Sequence, residues 1–490
     1  MRLNSLLSGV EIIKSKVDDR EIKYIASDSR KVKDSYIFVA LKGKNRNGND
    51  YIKEAIKNGC TCIITDDSNV FYEYENVVLT YNSRRALAIL WDNYYGNPTK
   101  NIKVIGITGT NGKTSSAYYL YNILKESGKK AGLISTIECL INDKKIEFGG
   151  GGETVDIISA MTTPDPEYLY MIFSLMRDAK AEYIVMEASS HALELSKLYP
   201  VHFEIGIFTN LSKEHLDFHQ SMDNYFLSKL KLFYNCKYAI VNADDEYSSF
   251  VNRYINRDFI TLGTNTKSDC KISHIVEKVG GSVYSLSIFN KILRMEVSIQ
   301  GRFFIYNSAV AAISASLLGI DNEYILGGVR KLKNIPGRLE KIADGVYIDY
   351  AHTPCAMRGV INTVRSFSNG KKIIVLFGCG GDRDKSKRAE MGEIATTLAD
   401  ITVITSDNPR SEDKLSIIND ISQGILKESE YYIIPSREEA VKFALKIKND
   451  AILLLLGKGH EKYEIDSEGK HKFDEKEIVR RELKCNDYNG

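Results

Sequence analysis

No run of about 18 apolar residues occurs anywhere in the 490-residue sequence, so no transmembrane helix is expected. Residues 1–16 lack the apolar stretch of a signal peptide, so a cytoplasmic chain without membrane insertion is expected. There is no CxxC pair: the eight cysteines are scattered, and Cys60 and Cys62 have no matching pair elsewhere. That pattern favours a reduced compartment and argues against a structural zinc site. Excess charge of one sign is also missing. Lys plus Arg (66) against Asp plus Glu (64) leaves +2, which gives no ground for wholesale nucleic-acid binding, so an anionic ligand must be held locally. Neither an internal repeat nor a low-complexity tract is visible.

What is present is an ordinary globular composition, 43% hydrophobic and 27% charged, long enough for about three domains of common size. Breaks at Gly96-Asn97-Pro98 and at Asn334-Ile335-Pro336-Gly337 divide it into 1–97, 98–334 and 335–490. The first part mixes short β-like runs (35–41, 60–65, 76–80) with a helical stretch at 84–94. The second opens with an apolar strand at 103–108, a glycine-bearing turn and an amphipathic helix at 114–127. Strands are expected at 183–186, 204–208 and 238–242, with a helix at 225–234, and 269–299 alternates like antiparallel strands. The last part has four apolar strands, at 346–349, 372–377, 401–405 and 452–456. Alternation of this kind predicts an α/β fold with largely parallel sheets, whose ligands sit beyond the strands' C-terminal ends.

The strongest local signal is Gly106-Ile107-Thr108-Gly109-Thr110-Asn111-Gly112-Lys113-Thr114-Ser115. Small residues let backbone N–H groups approach phosphate oxygens. Lys113 adds a point charge, and Thr114 offers a hydroxyl to magnesium at the start of a helix. ATP is the natural ligand, although five rather than four residues separate Gly106 from Gly112. Glu187 follows a strand and is well placed to hold magnesium, though acidic residues commonly end strands. Ser189-Ser190-His191 could suggest a serine hydrolase, but GxSxG is absent. His215 reads equally as a metal ligand or a loop histidine, and Lys229 by itself as a solvated helix residue. Three loops, Gly378 to Asp384, Ser406 to Arg410 and Gly457 to Glu461, follow strands and could gather arginines and carboxylates around a zwitterionic amino acid.

Together these residues resemble the Mur ligase family, ATP-dependent amide-forming enzymes of peptidoglycan synthesis. The likeness runs through Asp28-Ser29-Arg30-Lys31-Val32, the Gly109 to Ser115 loop, Thr162-Thr163-Pro164, Met186 to His191 and His215-Leu216-Asp217. It continues through Gly337-Arg338-Leu339-Glu340, Asp349-Tyr350-Ala351-His352-Thr353-Pro354 and the three C-terminal loops. The resemblance implies a three-domain architecture: a UDP-MurNAc-binding domain (1–97), a central P-loop parallel-sheet ATP domain (98–334) and a Rossmann-like amino-acid domain (335–490).

It further implies ATP contacts at Gly109, Thr110, Asn111, Gly112, Lys113, Thr114, Ser115, Asn307, Arg338 and Asp349. UDP-MurNAc-L-Ala-D-Glu would meet Ser29, Thr162, Thr163, Ser189 and Lys197. Magnesium would be held by Thr114, Glu187, His215 and a carbamylated Lys229, since a lysine carbamate is an anion where an ammonium would repel the metal. Lys113, Glu187, His215 and Lys229 would thus be the catalytic set, joining a carboxylate to an amine through an acyl phosphate. Ligases that add meso-diaminopimelate carry Asp-Asn-Pro-Arg, here Asp407, Asn408, Pro409 and Arg410; Arg383, Gly457 and Glu461 match further amino-acid contacts. A guanidinium partner for the distal carboxylate discriminates against L-lysine, the alternative third residue. A non-catalytic nucleotide-binding sensor is the competing reading from another class, and a monomer is expected. The sequence departs from the family pattern at Leu195, Lys197, Phe304, Cys355 and Ser386.

Overall fold

The computed structural model describes residues 1–43, 46–146 and 161–487. The chain forms two compact units, each assembled from separated stretches. One comprises Met1–Thr108, Lys129–Gly206 and Ser228–Ala239, the other Gly109–Gly128, Ile207–Leu227 and Ile240–Gly490.

The first unit holds a five-stranded sheet in the order Ile12–Ser15, Val77–Thr80, Cys60–Thr65, Tyr36–Val39, Tyr24–Ala26, parallel except at the Ile12–Ser15 edge. Helix Ser83–Tyr94 starts where Asn82 accepts hydrogen bonds from the backbone of Arg84 and Arg85. It buries the chain's single tryptophan, Trp91, against Tyr24, Tyr94 and Tyr95 at ring separations of 5.0, 5.3 and 5.8 Å. Tyr24 donates to Glu167 at 2.8 Å, at the start of helix Pro166–Asp178. The same unit carries the parallel ladder of Lys103–Thr108, Tyr183–Glu187 and Ala131–Ile134, with register Ile107 to Glu187.

In the second unit, helix Lys113–Glu126 packs on helices Arg302–Leu317 and Asn322–Lys331. The approach is close because Gly328 has no side chain, and a Cβ there would lie 2.6 Å from the Ile123 backbone. Phe304 lies fully buried in this contact, edge-on to Tyr119 at 6.4 Å, which explains its departure from the family pattern as packing. The expected antiparallel segment is three strands, Cys270–Lys278, Gly281–Ile288 and Lys291–Val297.

The C-terminal sheet runs Glu340–Ala343, Val346–Asp349, Ile452–Leu456, Ile373–Phe377, Ile401–Ile404, Tyr431–Ile433, parallel except for its first strand. Ile452–Leu456 is apolar at every position and buried at every position, as a central strand covered on both faces requires. Helix Pro354–Phe367 begins with Thr353 capping Ala356 and Pro354 in the first turn. It buries Met357, Val360, Ile361 and Val364 at helical spacing.

One expected element differs. The helix at 225–234 is Met222–Leu230, followed by a 3-10 segment, Lys231–Asn235, which keeps Leu232 and Phe233 buried. No helix among the described residues is long and apolar enough to cross a membrane.

Candidate active site

Strand Lys103–Thr108 runs into a tight turn because two glycines take up positive φ, +145° at Gly109 and +85° at Gly112. Neither tolerates a side chain: a Cβ would lie 1.9 Å from Thr209 Oγ1 at the first and 2.6 Å from Asn307 Oδ1 at the second. The turn is held by hydrogen bonds. Thr110 N donates to Asn210 O, Asn111 N to Asn210 Oδ1, and Thr209 Oγ1 to Asn111 O, at 2.7 to 2.9 Å. Lys113 opens the following helix and donates back to the carbonyls of Gly109 and Thr110 at 2.9 and 2.7 Å. Its ammonium therefore lies over the loop whose N–H groups suit phosphate.

Arg338, from the Gly337-Arg338 turn, donates to Thr114 Oγ1 at 3.0 Å and lies over the Tyr350 ring at 4.7 Å. Asp349 fixes the turn by accepting from Leu339 N at 2.6 Å and Ala351 N at 2.7 Å, while burial pushes its carboxyl above the usual range. Asn307 is buried and accepts from Ser116 Oγ at 3.3 Å. The second unit thus brings Lys113, Thr114, Asn307, Arg338 and Asp349 around one phosphate-type loop.

His215 takes a left-handed φ of +56° at the start of a short helical turn. Its neighbour Glu214 is buried and accepts from His352 Nε2 at 2.7 Å. Burial raises the Glu214 carboxyl, but His352 and His215 outweigh that and hold it well below the usual carboxylate range.

Glu187 lies in the first unit as the last residue of its strand, fully buried. Its oxygens accept from Thr136 N at 2.8 Å and Thr136 Oγ1 at 3.1 Å, and its carbonyl accepts from Thr163 Oγ1 at 2.9 Å. The Thr136 and Thr162 hydroxyls lie 3.2 Å apart, and Ser189 N donates to Thr163 at 3.1 Å. Glu187, Thr162, Thr163 and Ser189 therefore form one cluster around Thr136, which sequence reasoning did not single out. Lys197 is buried and pairs with Asp165 at 2.8 Å, so its charge is already met by a carboxylate two residues beyond Thr163.

Ser29, in the 3-10 segment Ser29–Lys31, is buried and donates to Glu54 at 2.5 Å. Lys229 is 1% exposed, which corrects its reading as a solvated residue. No group of three or more His, Cys, Asp or Glu side chains suited to a metal is found among the described residues.

The three C-terminal loops do converge. Asn408 Nδ2 donates to Glu461 Oε2 at 2.9 Å, and Tyr350 OH donates to Glu461 Oε1 at 3.4 Å. Arg410, at a positive φ of +55°, donates to Gly381 O at 2.8 Å. Burial and the neighbouring Arg383 lower the affinity of the Arg410 guanidinium for its proton, and Asp407 and Glu461 oppose them. Gly457, at +107°, leaves room for Asp407, whose Oδ2 would lie 2.7 Å from a Cβ. Arg383, Asp407, Asn408, Pro409, Arg410, Gly457 and Glu461 thus share one edge of the C-terminal sheet.

Three family descriptions match in chain order: Mur ligase family, catalytic domain (residues 21–95), Mur ligase middle domain (107–315) and Mur ligase, glutamate ligase domain (337–459). A UDP-N-acetylmuramoyl-L-alanyl-D-glutamate--2,6-diaminopimelate ligase of Clostridium botulinum is 39% identical over 99% of this chain and 100% of its own. The chain belongs to the Mur ligase family. Among solved structures, a ligase of the same name as the Clostridium relative superposes with a TM-score of 0.65 at 27% identity, over 95% of this chain and 96% of that one. A MurF ligase of Thermotoga maritima in complex with ADP gives a TM-score of 0.58 at 21% identity, covering 89% of this chain and 93% of that chain, a likeness of fold. The fold is accordingly the three-domain Mur ligase architecture, and Mur ligases use ATP.

Proposed function

We propose that this Mur ligase joins meso-2,6-diaminopimelate to UDP-N-acetylmuramoyl-L-alanyl-D-glutamate with consumption of ATP. The carrying observation is the convergence of Arg410, Asn408 and Glu461 in one cluster. A diamino dicarboxylic acid offers a distal carboxylate to Arg410 and a distal ammonium to Glu461, and lysine would leave the guanidinium without its anion. The full-length Clostridium relative supports the same substrate pair. We divide the chain at 97 and 334, in keeping with the segments matched by the three family descriptions.

A carboxylate oxygen of the nucleotide's terminal glutamate attacks the γ-phosphorus of ATP and ADP leaves, giving an acyl phosphate. The amine nitrogen of diaminopimelate then attacks the acyl carbon, phosphate departs, and the nitrogen loses a proton to give the amide. Lys113 and the loop N–H groups hold the triphosphate, with Gly109 to Ser115 shaping the turn and Asn307, Arg338 and Asp349 beside it. Ser29, Thr162, Thr163, Ser189 and Lys197 hold the UDP-MurNAc-dipeptide. Catalysis here is placement and charge stabilisation, with no covalent enzyme intermediate.

Magnesium would be held by Thr114, Glu187, His215 and a carbamylated Lys229. The oxygen donors suit a hard cation: a hydroxyl, a buried carboxylate and, once Lys229 has reacted with carbon dioxide, a second anion, with the softer His215 imidazole beside them in the set. Held by these residues, magnesium would supply positive charge to the phosphates. In this reading the enzyme acts in the cytoplasm, as a monomer.

The deciding experiment supplies purified protein with ATP, magnesium and UDP-MurNAc-L-Ala-D-Glu, and offers diaminopimelate and L-lysine separately. Phosphate release and a new amide mass are expected with diaminopimelate. Faster turnover of lysine would overturn the substrate, and tight ATP binding without any amide product would favour a sensor.

A further inference from the structure

We infer that Lys458 is a positioning residue for the amino-acid site, setting the amide of Asn408 and, through it, the carboxylate of Glu461. The inference rests on the reading of this loop cluster as the diaminopimelate site. The Lys458 side chain is fully buried. Its Nζ donates to Asn408 Oδ1 at 2.6 Å and to Tyr463 O at 2.8 Å, and Asp407 Oδ1 balances its charge at 3.5 Å. Burying an ammonium is costly unless it is paired and hydrogen-bonded, and here two of the three partners, Asn408 and Asp407, are residues of the site.

An asparagine amide can present either end, and the donors around it decide which. Two donors converge on one side of Asn408: Lys458 Nζ, and Ile465 N at 3.0 Å. That side must be oxygen, so Nδ2 is turned to Glu461 Oε2. The flipped amide would set its N–H against an ammonium and its oxygen against a carboxylate. Lys458 also acts on Glu461 by charge. Burial raises the Glu461 carboxyl, Asp407 raises it further, and Lys458 opposes both. The groups bearing on Glu461 are Asp407, Asn408 and Arg410 on one loop, Tyr350 and His352 on another, and Lys458.

Lys458 does not have to set the spacing of these loops, because buried Arg437 does so independently. Arg437 donates to Ser406 O at 3.0 Å, at the root of the Asp407 loop, and to Leu456 O at 2.8 Å, at the root of the Gly457 loop. Removing the ammonium therefore releases the amide and weakens the ionised form of Glu461, while the backbone stays in place.

The test is steady-state kinetics of the full-length protein with Lys458→Met. The KM for diaminopimelate is expected to rise at least about tenfold, with kcat and the KM values for ATP and the nucleotide within roughly threefold. The acid limb of kcat/KM for diaminopimelate should move to higher pH, because Glu461 loses the cation that keeps it ionised. A purely structural role would move neither quantity selectively. A folded variant with unchanged KM for diaminopimelate and an unmoved acid limb would overturn the inference. Should Lys458→Met not fold, Lys458→Gln keeps an N–H donor without charge. It should show the shifted limb with a smaller change in KM, and an unmoved limb would be equally fatal. Wild-type protein that fails to turn over diaminopimelate defeats the substrate reading, whereas active wild-type with an indifferent variant defeats only the role of Lys458.

Discussion

Three buried lysines show how the chain handles a charge removed from water. Lys197 meets Asp165 at 2.8 Å, and Lys458 meets Asp407 and two carbonyl-type acceptors. Lys229, 1% exposed, is in our reading converted to an anion by carbon dioxide. Lys229→Ala should then lose at least about a hundredfold in ligation rate, since an anion beside the phosphoryl groups' cation is removed. Millimolar formate or acetate should restore part of it. Ligation assays with and without the additives check this, and full activity of the variant in plain buffer would refute the carbamate. At this scale Lys113 and Thr114 were legible because phosphate-loop chemistry is local, carried by consecutive residues. Thr136, Asp165 and Lys458 were not. Each gains its role from a contact with a residue distant in sequence, Thr136 with Glu187, Asp165 with Lys197 and Lys458 with Asn408, and a lysine within a Gly-Lys-Gly loop reads like a solvated one.

Elements were legible where their burial is uniform or periodic. Lys103–Thr108, Val346–Asp349 and Ile452–Leu456 fall where their apolar runs place them. Ile12–Ser15, exposed at all four positions, and Tyr24–Ala26, of three residues, are too short or too polar to signal themselves. Helix Arg302–Leu317 is apolar on every side because it is buried between other elements, so no amphipathic stripe marks it.

Ion pairs between elements are likewise invisible in the sequence. Arg388, on helix Lys387–Leu398, is buried and pairs with Glu412 at 2.9 Å and with Asp420, on helix Lys414–Ser422, at 2.9 Å. The hydrogen bonds from Arg388 hold the Glu412 carboxyl down at about 2, against 4.5 for a free glutamate. A depressed carboxyl contributes stability that is present above its unfolded value and lost as pH falls through the folded one. Glu412→Gln should therefore destabilise the protein on the order of 2 kcal/mol at pH 7, because Asp420 still partners the arginine. The gap should narrow from pH 4.5 downward, as urea unfolding at successive pH values would record. A gap that persists unchanged at pH 3 would show that the pair does not carry it.

At the scale of the whole molecule, the near-zero net charge gave no ground to expect a general polyanion binder and concealed where charge is concentrated. Lys113 and Arg338 flank the glycine-rich loop, while Arg383 and Arg410 lie together beyond the C-terminal sheet's strands, all within the second unit. That unit also contains the helix Lys113–Glu126 with its packing partners, so nucleotide bound at the loop is coupled to the folding of a large part of the chain. A ligand held by the native state alone stabilises it by about 2.7 kcal/mol at a concentration one hundred times its Kd. ADP should accordingly raise the thermal midpoint by several degrees, by an amount that grows with the logarithm of its concentration. Lys113→Ala removes the ammonium but leaves the glycine turn, whose φ angles and hydrogen bonds to Thr209 and Asn210 do not involve that side chain. The variant should therefore fold and lose most of the ADP-induced shift. Calorimetric scans of both proteins across an ADP series separate the outcomes. An undiminished shift in the variant would place the nucleotide's anchoring charge elsewhere than Lys113.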